Sequence, residues 1–274
     1  MRIPKNQPMR ASPAASEFKP VESLSQFVQY VEDIKRRTEA AGNPADLIFR
    51  GQPCDLPLIP RLGRLALRGK LDRVEKLIVE EFKRTMTPLT EFHPDNEWDV
   101  LAVAQHHGLP TRLLDWTQSA SSALWFTVRA PFRPDKRSDA PQAGVVWVFA
   151  AEVGDYLKNI NEASPFDDED ITKIFRPQTI SRRIVAQAGV FTAHKLLENK
   201  RFVALEKNKY HKHKLTKLVI QPENFARLRK DLHMFNVNHM SQFPDLDGLA
   251  RHLEWRYSWY DDEEHAGDPG RGHV

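Results

Sequence analysis

The apolar run from Gly144 to Ala150 constrains the fold of this chain more than any other stretch. It reads Gly-Val-Val-Trp-Val-Phe-Ala and contains no charged side chain. A short run of this kind, without the alternation of a half-exposed strand, is typical of a strand that is buried on both faces. We therefore expect a sheet at the centre of the fold, covered on each side by other parts of the chain.

The remaining apolar patterns predict helices first, and then a mixture of strands and helices. Helical spacing predicts α-helices over residues 24–39, 71–85, 97–106, 119–128, 223–233 and 247–255. Ser23 is the expected N-cap of the first helix, and Gln26 completes a capping box. Further strands are predicted at 47–49, 189–192, 202–205 and 215–220, and 111–116 fits a strand or a tight loop. This order indicates an α+β fold with a mixed β-sheet core, N-terminal helices and a C-terminal helix.

Length and composition fit one globular domain. The chain has 274 residues, of which 41% are hydrophobic and 28% charged. We expect a flexible arm over 1–20, a single domain over 21–260 and a disordered tail over 261–274. No apolar run reaches the roughly 20 residues of a membrane span, and the single cysteine, Cys54, fits a reducing compartment. We therefore expect a cytoplasmic protein without a membrane partner; its net charge of +3 is weak evidence for nucleic-acid binding.

Polar side chains of many types are concentrated between Gln105 and Ser119, with apolar segments on both sides. Binding and catalytic groups favour loops held by rigid flanks, so we interpret this stretch as the centre of a site. Its candidate residues are His107, Thr111, Arg112, Asp115, Trp116, Thr117 and Ser119. A second group, Arg50, Gly51 and Gln52, ends a predicted strand, where ligand-binding groups are common. The glycine would allow a ligand to approach the backbone closely.

Each of the main candidates also has a structural interpretation. Arg50 can clamp a phosphate or carboxylate with its planar fork, or form an ion pair at the strand end. His107 can act as a general base, or cap the C-terminal end of the preceding helix. Arg112 and Asp115 can pair with each other and fix the loop. If they do not pair, Asp115 is a candidate base and Arg112 a second phosphate contact.

The other polar groups leave similar alternatives. Trp116 can stack on a ligand ring, although a core position is favoured. Thr111, Thr117 and Ser119 can bind a ligand or cap the next helix, and the cap is the favoured role of Ser119. A basic run is typical of a solvated hairpin, with a nucleic-acid contact as the alternative; it comprises Lys207, Lys209, His211, Lys212, His213 and Lys214. No residue spacing indicates a metal site.

The chain resembles the FRG-domain family at Phe49-Arg50-Gly51 and again from His107 to Thr117. The likeness continues at residues 123–126, 187–192 and 243–250, and it spans most of the chain. Members of this family occur in prokaryotes and phages, some of them in settings of defence or toxicity. The resemblance therefore implies a toxin or a phage-defence effector.

A more distant likeness is to the ADP-ribosyltransferase superfamily. Those enzymes carry an arginine or histidine on a first strand, small hydroxyl residues on a second strand and a glutamate on a third element. The residues that resemble these positions are Arg50, then Thr111 or Thr117 with Ser119, and then Gln187. The likeness implies NAD as the bound nucleotide and an ADP-ribosyltransferase-like fold. Because Gln187 is neutral, either Asp115 supplies the negative charge or the pocket binds a nucleotide without cleaving it.

Three functions are compatible with these residues. The first is an NAD-binding enzyme, an ADP-ribosyltransferase or NAD glycohydrolase, with water, a protein or a nucleic acid as acceptor. In it Arg50 holds phosphate, Thr111 and Gln187 position the sugar, and Asp115 or His107 handles the proton. The second is a nucleic-acid-directed nuclease or binder. The third is a ligand-sensing interaction module without catalysis.

Overall fold

A six-stranded sheet forms the centre of the computed structural model, which describes residues 18–42, 45–90, 94–133, 143–160, 164–166, 171–177, 186–197, 199 and 201–263. The strands are β1 (Ala45–Gln52), β2 (Leu113–Thr117), β3 (Gly144–Glu152), β4 (Lys173–Phe175), β5 (Gly189–Ala193) and β6 (Leu215–Ile220). Seven α-helices lie in the same ranges: α1 (Leu24–Ala40), α2 (Leu71–Met86), α3 (Glu97–His106), α4 (Ala120–Val128), α5 (Phe225–Met234), α6 (His239–Gln242) and α7 (Leu246–Tyr257).

The strands follow the order β4-β5-β2-β1-β3-β6, and every neighbouring pair is antiparallel. The α+β class, with helices towards both ends of the chain, is confirmed. The sheet itself is antiparallel rather than mixed. Within the described residues, parallel pairing occurs only as isolated bridges, Val21 with Ile220 and Tyr156 with Ile174. A strand buried on both faces has the same apolar pattern whichever way its neighbours run, so the sequence left strand direction open.

The sheet divides between β1 and β2. β1 pairs with β3 along its whole length, from Ala45 to Gln52, and β2 pairs with β5 along its whole length. Between β1 and β2 the register contains one pair, Phe49 with Thr117. The two strands therefore diverge beyond this pair, where β1 approaches its end and β2 approaches its beginning at Leu113.

Helices cover one face of both halves of the sheet. Helices α1, α4 and α5 pack over β1, β3 and β6, in a core that includes Phe49, Trp125 and Phe225. Helices α2 and α3 pack over β2, β4 and β5, where Leu101 and Phe191 share a core. The opposite face is covered by loop residues, among them Leu58 and Leu205. The prediction that β3 is buried on both faces is confirmed.

Helix α4 lies very close to β1, and Gly51 permits this approach. A Cβ atom at position 51 would lie 1.8 Å from the carbonyl oxygen of Ala123 and 2.7 Å from Oγ1 of Thr127. A helix backbone cannot yield to such a contact without moving as a whole. The structure thus gives this glycine a packing role, whereas the sequence analysis connected it with the approach of a ligand.

Most predicted elements are confirmed to within two residues of their ends, including α3 over 97–106 and β6 over 215–220. Ser23 is the N-cap of α1, as predicted. The strand predicted at 202–205 is wrong, because Phe202 forms only an isolated bridge with Leu196 and a 3-10 turn begins at Leu205. Strand β4 was missed, since three residues are too few to show a period.

Residues 1–17 of the predicted arm and residues 264–274 of the predicted tail lie outside the described residues. The beginning of the tail is part of the fold. Asp262 and Glu263 both pair with Arg229 of α5, at 2.6 and 3.2 Å. The folded part of the chain therefore extends at least to Glu263.

Candidate ligand site between β1 and β2

Arg50 lies where β1 and β2 diverge. Phe49 faces the helices, so Arg50 leaves the strand on the opposite face. Its Nη1 donates a 2.7 Å hydrogen bond to the backbone carbonyl of Asp115 and lies 3.7 Å from Oδ2 of the same residue. The guanidinium thus contacts β2 at a point where the ladder with β1 has ended.

Asp115 is the exposed residue of an otherwise buried strand. Its neighbours on β2 are buried, whereas 58% of its own side chain is exposed. Nε2 of Gln105, in the last turn of α3, donates to Oδ2 of Asp115 at 3.0 Å. Oγ1 of Thr111 donates to Oε1 of Gln105 at 2.8 Å and accepts from the Leu113 amide. This chain of bonds fixes the direction of the Gln105 amide and holds the carboxylate beside Arg50.

Arg50 leaves one edge of its guanidinium without a protein acceptor. Its hydrogen bond and its ion pair in the described residues both use Nη1, and its buried Nε has no hydrogen-bond partner there. The two other buried arginines use this Nε/Nη2 edge for carboxylates: Arg112 binds Glu75 and Arg229 binds Glu263. Burial lowers the pKa of Arg50, and nearby Asp115 raises it. The guanidinium stays charged at any physiological pH, and its unpartnered Nε/Nη2 edge has the donor geometry that binds the two oxygens of an anion.

Arg112 belongs to a different cluster from the one expected. It forms a bidentate ion pair with Glu75 of α2, with distances of 2.8 and 2.6 Å, and donates to the carbonyl of Pro165. Its guanidinium also lies over the ring of Phe166, 4.8 Å from the centroid. The predicted pairing with Asp115 is therefore wrong, because Glu75 occupies the guanidinium fork. A contact with a ligand phosphate would require that pair to break.

Trp116 is a core residue. It is buried, it packs edge-on against Phe149, and its Nε1 donates to Oγ1 of Thr192 at 3.0 Å. Oγ1 of Thr192 lies 3.0 Å from Nε2 of His194. Burial is the main cause that lowers the pKa of His194 to about 3, so this imidazole is neutral at physiological pH. The indole is thus fixed in the core, away from any stacking role.

Several other candidates end or cap elements. His107 is the C-cap of α3 and is exposed, and Gly108 follows it with a φ of +82°. Ser119 is the N-cap of α4, where its side chain accepts from the Ser122 amide. Gln52 is buried and donates through Nε2 to the Leu56 carbonyl. The capping role favoured for Ser119 is confirmed.

Gln187 is joined to β2 through its backbone and to α6 through its side chain. Oγ1 of Thr117 donates to the Gln187 carbonyl, and Nε2 of Gln187 donates to the Gln242 carbonyl at 3.0 Å. Arg50, Thr117 and Gln187 consequently lie on or beside three adjacent strands, β1, β2 and β5. The side-chain amide of Gln187 binds the Gln242 carbonyl. The acidic group that lies beside Arg50 is the carboxylate of Asp115.

The sequence analysis missed three residues that border this site. Gln105 was quoted within the central stretch but given no role, although it holds Asp115. Arg61 and Arg64 lie in a 3-10 turn, and Nη1 of Arg61 donates to the Gly108 carbonyl at 3.0 Å. The spacing of three residues between these two arginines, inside a proline-rich loop, was the sequence feature that could have indicated a pair of cations on one turn.

Comparison with known proteins assigns a family to this part of the chain. Residues 45–136 match the model of the FRG domain. The chain contains an FRG domain. The domain runs from β1 through α4 and therefore contains Arg50, Arg61, Arg64 and Asp115, whereas Gln187 lies beyond it. No curated protein and no solved structure matched the chain.

Among the described residues, no group of three or more histidine, cysteine, aspartate or glutamate side chains is placed to hold a metal ion. No helix in that part of the chain is long and apolar enough to cross a membrane.

Proposed function

We propose that the FRG domain of this chain binds NAD or a closely related nucleotide between β1 and β2, and that it cleaves the nicotinamide glycosidic bond. The observation that carries the proposal is the unpartnered Nε/Nη2 edge of Arg50 beside the exposed carboxylate of Asp115. One group fits a phosphate and the other fits a sugar that becomes positively charged. The placement of Arg50, Thr117 and Gln187 on or beside adjacent strands supports the likeness to ADP-ribosyltransferases.

The proposed chemistry assigns a role to each polar group. Arg50 binds a phosphate oxygen pair and holds the ribose near β2. The bond between ribose C1′ and the nicotinamide nitrogen breaks, and its electron pair leaves with nicotinamide. Asp115 stabilises the cationic ribose, and Gln105 keeps its carboxylate in place. Water, or a hydroxyl of a macromolecule, then bonds to C1′ and gives its proton to Asp115 or to solvent.

NAD consumption and nicotinamide release by the purified full chain test this proposal. We expect Asp115→Asn to lower the rate by about 10²–10³, as for loss of one well-placed electrostatic group, while NAD binding persists. Asp95→Asn, at an exposed carboxylate of the same domain, is the matched control and should keep the wild-type rate. Arg50→Ala should abolish NAD binding.

The other outcomes separate the alternatives. Saturable NAD binding without consumption, lost in Arg50→Ala, would identify a ligand-sensing module, which the neutral Gln187 favours. Absence of both binding and consumption would remove the NAD proposal. A host cell is harmed when its NAD is consumed, so the proposed activity agrees with a toxin or phage-defence effector of the cytoplasm.

Nucleic-acid binding is the weaker candidate because much of the basic run is engaged within the protein. Nζ of Lys214 binds Asp155 and Glu152 at 2.8 and 3.0 Å, and His211 is buried. Lys209 lies over the ring of Tyr210. If nucleic acid were nevertheless the ligand, its affinity would fall steeply with salt concentration.

A further inference from the structure

We infer that Arg64 is a second phosphate-binding residue and that the site recognises two adjacent phosphoryl groups, as in a nucleoside diphosphate or a dinucleotide. This inference rests on the proposed function. It specifies which part of the nucleotide the site distinguishes.

The turn that carries Arg64 borders the site. Arg61 and Arg64 are the first and last residues of a 3-10 turn, in which side chains three residues apart lie on the same side. The bond from Arg61 to the Gly108 carbonyl ties this turn to the loop after α3. The last turn of the same helix carries Gln105, which holds Asp115. The turn and the strand divergence are therefore parts of one connected surface.

The charges around this surface are unbalanced. Burial and then the charge of Arg61 lower the pKa of Arg64, and the charge of Arg64 contributes to the lowered pKa of Arg50. Arg64 thus lies within electrostatic reach of Arg61 on its own turn and of Arg50 on β1. In the described residues, Asp115 is the carboxylate that pairs with any of them, and it pairs with Arg50. Like charges held together without counter-charges repel, so the surface favours a ligand with more than one negative charge.

The two arginines divide the ligand between them. The unpartnered Nε/Nη2 edge of Arg50 takes the first phosphoryl group. The side chain of Arg64 is in part exposed and forms no hydrogen bond or ion pair within the described ranges, so its guanidinium is available for the neighbouring phosphoryl group. Arg61 is partly committed to Gly108 and positions the turn.

Calorimetric titration of the full chain with adenosine, AMP and ADP tests this division. We expect ADP to bind wild-type protein roughly tenfold more tightly than AMP, the effect of one charge-assisted contact. Arg64→Gln should lower the affinity for ADP by a similar factor and leave the affinity for AMP nearly unchanged. Arg50→Gln should weaken both. Arg68→Gln, at an exposed arginine outside the turn, is the matched control and should change neither affinity.

The outcomes separate this inference from the proposed function. An unchanged ratio of ADP to AMP affinity in Arg64→Gln would overturn the inference while nucleotide binding stands. An equal loss of ADP affinity in Arg68→Gln would also overturn the inference, because the loss would then reflect the overall charge of the protein and not a contact with Arg64. If the wild-type chain binds neither AMP nor ADP and no NAD, both the inference and the proposed function fall.

Discussion

At the scale of single residues, partners decide which candidates stay available for a ligand. Arg50 and Arg112 look equivalent in the sequence, as arginines at a strand end and in the central stretch. The structure gives Arg112 a carboxylate partner, Glu75, and leaves an edge of Arg50 open. Glu75 lies on another element, far along the chain, so no spacing rule connects the two.

The ion pair between Arg112 and Glu75 should be a major stabilising contact as long as both partners are present. Both side chains are almost completely buried. Glu75→Gln leaves a buried guanidinium without its counter-charge, so we expect the free energy of unfolding to fall by about 3–5 kcal/mol. Urea denaturation measures this change. Glu81→Gln removes an exposed pair with Arg84 and should cost less than about 1 kcal/mol; equal losses would contradict a special role for the buried pair.

At the scale of elements, helices and strands with a clear hydrophobic period or a capping residue were predicted from sequence, whereas short or irregular segments were not. Helix α3 and strand β6 have the predicted ends. The sequence did not decide whether the segment of β2 is a strand or a loop. Its side chains do not alternate between buried and exposed, since Asp115 alone is exposed and the other four residues of the strand are buried. The divergence of β1 and β2, which creates the candidate site, depends on pairing between distant segments and leaves no local sequence signal.

The contact between α4 and β1 predicts a sharp difference between two glycines. An alanine at Gly51 places its Cβ 1.8 Å from the carbonyl oxygen of Ala123, so the helix must shift. We expect Gly51→Ala to lower the free energy of unfolding by about 1–3 kcal/mol or more. A Cβ at Gly154 meets nothing within 4 Å, so Gly154→Ala should stay within about 0.5 kcal/mol of wild type. Thermal and urea unfolding of both variants measure the difference.

At the scale of the whole molecule, the four buried histidines of the described residues, His194, His211, His239 and His252, should make stability depend on pH, because burial lowers the pKa of each. Burial lowers the pKa of His194 to about 3 and the pKa values of His211 and His239 to about 4. An unfolded histidine has a pKa near 6.5, so below that pH the unfolded state binds protons that the folded state does not. Stability is therefore full above about pH 6.5 and is lost as the pH falls towards about 4.

Urea unfolding between pH 7.5 and 4.5 measures this dependence. Each histidine should contribute a loss of about 1.4 kcal/mol per pH unit in the steep part of the range. His194→Gln should reduce the slope by one such contribution. A flat profile in the wild-type protein would contradict the assignment of buried neutral histidines.

Calorimetric titration of NAD into wild-type protein and Arg50→Lys tests directly whether the unpartnered fork of Arg50 binds a nucleotide phosphate. Lysine keeps the positive charge but lacks the planar pair of donors. We expect saturable binding by the wild-type chain and an affinity at least roughly tenfold lower in Arg50→Lys, with the unfolding midpoint unchanged. Equal affinity in the two proteins, or no binding by the wild-type chain, would contradict this expectation.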